Sequence, residues 1–329
     1  MSVQLNAQFE TMFLLFLCPW GEGEKKKLID ELDKFGIDGQ DFYKRNYRPV
    51  EQYYHAFEKH RIDSPGVTLM HDMDEALFPI CTSVFQQNPD WFYDIDKISD
   101  DYVQAAVRGA LAAEYGENSG DLITTLDAID LTDRAKWQLT VLYQRAGQQL
   151  RLIASAVTEN LPAFEKAYAK IENELGALLQ HFDQGLAQPQ KTGLLRLPEQ
   201  MNPNTVVIPT MALPVSIVIL EEACFYGLLN YKLSAGGSEL TRDELLMGAK
   251  ALSEKSKVEI LLCLKENSRY NLEIAELVGL TPATVSHHMN TLLASGFVEL
   301  EKKDGKVYYR LAADGVKRYL AGIKHLLLS

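Results

Sequence analysis

Hydrophobic and polar positions are most informative between residues 271 and 296, where they predict two short helices joined by a tight turn. In the first helix apolar residues recur up to Val278, and Gly279 stands where a left-handed cap ends a helix. Thr281 is a good N-cap for the second helix, and Pro282 suits its first turn, where no amide hydrogen is needed. The second helix then carries one apolar face, formed by Val285, Met289, Leu292 and Leu293. This spacing predicts a helix-turn-helix.

The segments on either side extend this motif into a winged helix. Residues 241–252 and 256–266 have helical apolar spacing. Residues 297–311 form two alternating runs around Asp304 and Gly305, a strong signal for a hairpin turn. A last amphipathic helix is predicted from Asp314 to about Leu328. We therefore predict a winged helix domain over residues 241–329.

The first 235 residues show mostly helical periodicity. Helices are predicted at about 24–35, 74–87, 99–115, 122–129, 132–157 and 161–182. Short β-branched runs separated by Pro and Asn predict three strands within about 194–232. The apolar run at 12–19 is too short to span a bilayer and lacks a preceding basic segment, so it predicts a buried strand or helix. The predicted fold is mainly α with a small β component, in which a large helical domain (1–235) precedes the winged helix.

Composition and charge are those of a soluble globular protein with two unlike parts. The chain has 329 residues, of which 47% are hydrophobic and 24% charged. Its net charge of −12 argues against nucleic acid, but the charge is unevenly spread. Residues 241–329 hold 13 Lys and Arg against 11 Asp and Glu, while residues 1–240 hold 20 against 34. An acidic body joined to a mildly basic end suits a DNA-binding domain attached to one that does not bind DNA.

Candidate chemistry is sparse. The four cysteines are scattered without a CxxC or CxC pair, which favours reduced cysteines in a cytoplasmic protein over a disulfide framework or a thiolate metal site. The sequence has no nucleotide-binding glycine loop, no GxSxG and no HExxH, and its carboxylates are spread along helical faces. We therefore expect no enzymatic activity and no cofactor.

Two stretches are more specific than a generic winged helix. Residues 251–261 (ALSEKSKVEIL) resemble the segment that precedes the helix-turn-helix in ArsR-type bacterial regulators. Residues 284–298 (TVSHHMNTLLASGFV) are similar to their recognition helix and its exit into the wing. The Ser-His-His run at 286–288 and the small-Gly-apolar-Val exit carry the likeness. The resemblance covers about residues 245–312, under a quarter of the chain.

The resemblance implies a homodimeric transcription regulator that binds double-stranded DNA at a two-fold operator. The positions that it places at the DNA are Thr281, Ala283, Thr284, Ser286, His287 and Asn290 on the 281–294 helix, and Lys302, Lys303 and Lys306 on the 299–311 wing. The helix would read base edges, whereas the wing lysines would reach phosphates or the minor groove. The alternatives are a surface histidine without a contact for His287 and a merely solvated turn for the lysines. His288 is expected to pack against the wing.

The sequence departs from the metal sensors of that family. Its first motif helix lacks the paired cysteines of a thiolate sensor, and the closing helix has Asp314 and His325 but not the spaced ligand set of a zinc sensor. Residues 71–74 (His-Asp-Met-Asp) form the other cluster that resembles a site, and a solvated helix start is the expected role there. We predict no metal.

The sequence is compatible with more than one role for the large domain. Aromatic residues crowd between 41 and 61, which is typical of core packing, although tyrosine hydroxyls beside a cavity can also orient a ligand. The candidate ligand contacts are Tyr43, Tyr47, Tyr53 and Trp91. The domain could sense a small molecule or partner, or could serve dimerisation, and both can hold. An alternative function is a protein-interaction module whose winged helix no longer binds DNA.

Overall fold

The computed structural model describes residues 4–34, 37–115, 122, 126, 131–187, 204–220, 222–233, 240, 242–303 and 306–328. The predicted class, mainly α with a small β component, is confirmed. None of the helices in these ranges is both long and apolar enough to cross a bilayer.

The first part of the chain is a helical assembly. Its helices are α1 (Ala7–Leu17), α2 (Glu22–Lys34), α3 (Gly39–Asn46), α4 (Arg48–His60), α5 (Pro65–His71), α6 (Phe78–Gln87), α7 (Trp91–Asp94), α8 (Asp100–Tyr115), α9 (Asp133–Gln144), α10 (Ala146–Lys170) and α11 (Glu172–Leu186). Short 3-10 helices at Glu75–Leu77 and Ile95–Lys97 precede α6 and follow α7. The apolar run at 12–19 lies largely in α1, which is buried. Most of the predicted helix at 122–129 lies outside the described residues.

Helix α10 is the centre of this assembly, because α1, α4, α5, α7 and α8 all pack against it. Its buried face runs along its whole length and includes Leu150, Val157 and Phe164. Asn160 is also buried there, where its side chain accepts a hydrogen bond from the Ile62 N–H (2.7 Å) and donates one to the Ile62 carbonyl (3.0 Å). The amide thus ties the loop after α4 to the central helix.

The predicted division of residues 132–182 into two helices is wrong. The chain breaks at Arg145 instead, and α10 then continues through Pro162 to Lys170. At the break, Gly147 lies so close to the start of α8 that an added Cβ would meet the Asp100 carboxylate at 2.2 Å. Arg151 donates to the same carboxylate over 2.7 Å. The start of α10 is therefore packed closely against α8. The buried face that runs along α10 outweighs the local effect of proline.

A small mixed sheet follows the helices. Strands β1 (Val206–Thr210), β2 (Ile217–Ile219) and β3 (Ala223–Gly227) lie in the order β1-β3-β2, with β1 parallel and β2 antiparallel to β3. The short helix α12 (Asn230–Leu233) comes next. The prediction of three strands in this region is therefore confirmed. A further apolar run, at 194–198, lies outside the described residues.

The buried carboxylate of Glu10 connects α1 to the end of β1. Its Oε1 accepts the Met211 N–H and its Oε2 accepts the Ala212 N–H, both over 3.0 Å. The Tyr53 hydroxyl donates to Oε2 over 2.7 Å, and the Thr210 hydroxyl also bonds the group. Glu10 is 1% exposed, so these donors replace the water that a carboxylate otherwise needs.

The C-terminal elements have a hydrophobic cluster of their own. They are α13 (Arg242–Ser253), α14 (Lys255–Glu266), α15 (Asn271–Val278), α16 (Pro282–Ala294), β4 (Val298–Lys303), β5 (Lys306–Leu311) and α17 (Ala313–Leu328). Their buried core runs from Leu245 to Tyr319 and is distinct from the core of the helical assembly, which ends at Leu229. Residues 234–239 and 241 are not described, so the boundary between 235 and 241 stays a prediction.

Candidate nucleic-acid interface

The turn between α15 and α16 is fixed by its own caps. Gly279 ends α15 with φ 67°, a left-handed conformation that glycine adopts without steric cost. The Leu280 N–H then donates to the Ala275 carbonyl over 3.0 Å. Thr281 Oγ1 accepts the Thr284 N–H over 3.1 Å and starts α16. Both predicted caps are confirmed, and they fix how α16 leaves the turn.

Helix α16 is anchored by its apolar face. Val285, Met289 and Leu292 are fully buried in the C-terminal core. Thr284 and Ser286 are half-buried and Asn290 is exposed, so polar side chains occupy the other side of the helix. Because the apolar face is held by the core, the helix presents its polar side in a fixed orientation.

The structure brings the predicted helix contacts together. Thr281 is the exposed N-cap, and Ala283 and His287 lie in the first and second turns of α16. Lys302, Lys303 and Lys306 lie in the strands on both sides of the hairpin turn, where Lys303 pairs with Lys306. The turn residues themselves, 304–305, lie outside the described residues. All nine positions stay predictions as DNA contacts.

Asn271 is a residue that the sequence reasoning missed. Its side-chain amide donates to Ser286 Oγ over 2.9 Å, joining the first turn of α15 to α16. The bond leaves the Ser286 hydroxyl proton available to donate. A polar residue at a helix start gives no sign of such a partner, because the bond spans the turn and depends on the angle between the helices.

His288 lies on the inner side of α16. It is 6% exposed, and its Nδ1 lies 4.0 Å from Oε1 of Glu254, the residue before α14. Glu254 also forms an ion pair with Lys257. Glu254 is thus a charged neighbour of His288 that the sequence does not indicate, and packing of His288 against the wing stays a prediction.

The wing is attached to the helix-turn-helix by the backbone. Arg269 and Tyr309 exchange two backbone hydrogen bonds of 2.9 and 2.8 Å, so the segment before α15 pairs with β5. Across the wing, Arg310 donates to Glu299 over 2.6 Å. These bonds hold the wing strands at a defined position beside α16.

One comparison with known proteins bears on this domain. Residues 254–299 match the family model described as bacterial regulatory protein, arsR family. The C-terminal helix-turn-helix is of the ArsR type. This segment runs from Glu254 through α16 into the start of β4, and it supports a DNA-binding transcription regulator. No curated protein and no solved structure matches the chain.

The four aromatic residues predicted to contact a ligand are all buried. Tyr43 stacks on Tyr47 with 4.6 Å between ring centroids, and the Tyr43 hydroxyl donates to Glu51 over 2.7 Å. Tyr53 bonds Glu10, while Trp91 meets the ring of Tyr102 edge-on at 5.9 Å. Three grooves in the described part of the chain are lined by residues other than these four. Their role as ligand contacts stays a prediction.

Metal ligands are not grouped in the ranges that the structure describes, where no three His, Cys, Asp or Glu side chains could share an ion. In the 71–74 segment, Asp74 Oδ1 accepts the Ala76 N–H over 3.1 Å and starts the 3-10 helix there. His71 Nε2 lies 3.4 Å from the Arg61 guanidinium. Asp74 therefore has a capping role at this helix start.

Proposed function

We propose that the protein is a cytoplasmic, homodimeric, non-enzymatic transcription regulator that binds a two-fold operator. The 281–294 helix reads the major groove and the 299–311 wing contacts the flanking backbone. The large domain senses a small molecule or partner, takes part in dimerisation, or does both. The observation that carries the proposal is α16, whose apolar face is buried while Thr284, Ser286 and Asn290 stay accessible.

Exposed leucines support the dimer. Helix α17 exposes Leu320 (60%) and Leu327 (71%), and α13, which packs against α17, exposes Leu246 (50%). Large apolar side chains on two neighbouring helices are typical of a protein interface. A two-fold dimer through these helices would place two copies of α16 for two half-sites of one operator.

The alternative, a protein-interaction module without DNA binding, draws on the modest charge of residues 241–329, which is +2. DNA affinity depends on neutralised phosphates and falls steeply with salt. Salt dependence therefore separates the two functions.

The test is a gel shift with the DNA upstream of the protein's own gene, over a salt series. Ser286→Ala combined with His287→Ala is expected to weaken specific binding by roughly tenfold to a hundredfold, because one good base contact contributes about 1–3 kcal/mol. The dimer, measured by sedimentation, is expected to be unchanged. The matched control is Ser155→Ala combined with His181→Ala, which truncates the same residue types at exposed positions of α10 and α11, outside the recognition helix and the proposed dimer helices.

Unchanged operator binding by the Ser286/His287 variant would refute the recognition assignment. Binding that is absent, or insensitive to salt, in the unmodified protein would favour the interaction module instead.

A further inference from the structure

A positively charged groove lies between α4 and the C-terminal end of α10, on the part of the chain that carries the acidic excess. Its volume is about 570 Å³. We call it the basic groove; its lining residues are Arg48, Glu51, Gln52, His55, Ala56, Lys59, His60, Lys166 and Lys170. Small-molecule sites in proteins occupy roughly 300–1,000 Å³.

Helical spacing explains why the cations converge. Arg48, His55 and Lys59 are separated by seven and four residues, so they lie on one face of α4. Lys166 and Lys170 are four residues apart on α10, which packs along α4. The two rows meet where Lys166 Nζ lies 3.5 Å from His60 Nδ1.

These charges are not neutralised within the part of the chain that the structure describes. There, none of Arg48, Lys59, Lys166 and Lys170 forms an ion pair. The carboxylate in the groove, Glu51, accepts a hydrogen bond from the Tyr43 hydroxyl. The pKa of His60 is lowered by desolvation and then by the positive charges of Lys166 and Lys59. Four fixed cations around this one carboxylate leave the groove positively charged, which favours an external anion.

We propose that the basic groove binds a small organic anion that carries two or more phosphate groups. Several donors on two helices can contact separate phosphates, and lysine and arginine bind phosphate through charge-assisted hydrogen bonds. The surrounding residues, 1–240, carry a net charge of −14, which repels a long polyanion such as DNA while a compact anion enters the groove. That the anion acts as the effector of the regulator rests on the proposed function, whereas its binding does not.

The experiment is isothermal titration calorimetry of the full chain with sodium tripolyphosphate at low salt. Lys59→Gln combined with Lys166→Gln is expected to weaken binding at least tenfold. The control, Lys26→Gln combined with Lys136→Gln, removes the same charge from α2 and α9 and is expected to stay within twofold. In NMR titrations, tripolyphosphate is expected to raise the pKa of His60, because a bound anion stabilises the imidazolium.

Three outcomes would overturn the proposal: no saturable isotherm, equal weakening in the control pair, or a His60 pKa that does not respond. If the unmodified protein did not bind tripolyphosphate and the Lys59→Gln, Lys166→Gln variant lost binding to duplex DNA, the basic groove would instead be a contact site for the DNA backbone. The calorimetry contains no DNA. Failure of the protein to bind its operator would therefore refute the proposed function without affecting the measured binding of tripolyphosphate.

Discussion

The buried carboxylate of Glu10 allows a sharp test of how the large domain is held together. Each of its oxygens accepts a backbone N–H, from Met211 and from Ala212. A carboxyl group keeps two acceptor oxygens whether or not it is protonated, but an amide has one. In Glu10→Gln the new NH2 group would therefore point at a backbone N–H, whichever way the amide is turned.

The expected cost follows from that mismatch. One buried donor is left without a partner, which costs about 1–3 kcal/mol, and one hydrogen bond of roughly 1 kcal/mol is lost. We expect Glu10→Gln to lower the free energy of unfolding by about 2–4 kcal/mol. Tyr53→Phe removes only the hydroxyl that donates to Oε2, so its cost should be smaller, about 1–2 kcal/mol.

Urea unfolding followed by circular dichroism measures both variants. The control is Glu22→Gln on α2, whose side chain is 91% exposed and is expected to leave stability unchanged. Stability within about 0.5 kcal/mol of the unmodified protein in Glu10→Gln would refute the reasoning, as would a larger loss in Tyr53→Phe.

The difference in stability between the unmodified protein and the Glu10→Gln variant should depend on pH. Burial raises the pKa of Glu10 above its usual value, against hydrogen bonds that lower it. A carboxyl whose pKa rises on folding stabilises the fold fully below its unfolded pKa, and this contribution is lost as the pH rises through the folded pKa. The glutamine side chain of the variant has no such proton. The stability difference between the unmodified protein and the Glu10→Gln variant should therefore be larger at about pH 5 than at about pH 8.

Two further predictions concern packing and cysteine exposure. Gly315→Ala should destabilise the winged helix, because an added Cβ on α17 would lie 1.8 Å from the Gly296 carbonyl oxygen. In the control, Gly109→Ala on α8, the added Cβ meets nothing within 4 Å and should stabilise the protein slightly. Equal thermal midpoints for the two variants would contradict this prediction. Iodoacetamide should label Cys263 first in the native protein, because this cysteine is only half-buried. Burial raises the pKa of the other three thiols, Cys18, Cys81 and Cys224, to about 12, so they should react more slowly. Mass spectrometry measures the order of labelling. Early labelling of a buried thiol would show that the large domain opens.

The helix-turn-helix could be predicted almost completely from the sequence. Its signals are local: Gly279 and Thr281 set the caps, and Val285 and Met289 repeat at the spacing of one helical turn. Caps, turns and apolar periodicity involve residues within a few positions of one another, so the sequence displays them directly. The strands at 206–227 could be predicted for the same reason.

The remaining features depend on residues that are distant in sequence. Glu10 meets Met211 and Ala212 some 200 positions later, and His60 meets Lys166 across 106. The break at Arg145 is accompanied by the close approach of Gly147 to Asp100 on α8, a residue 47 positions earlier. Such contacts are decided when helices pack, because burial and hydrogen bonding between distant segments outweigh local preference. The sequence alone therefore determined what the C-terminal domain is, and only the tertiary structure placed the Glu10 contacts, the Asn271–Ser286 bond and the basic groove.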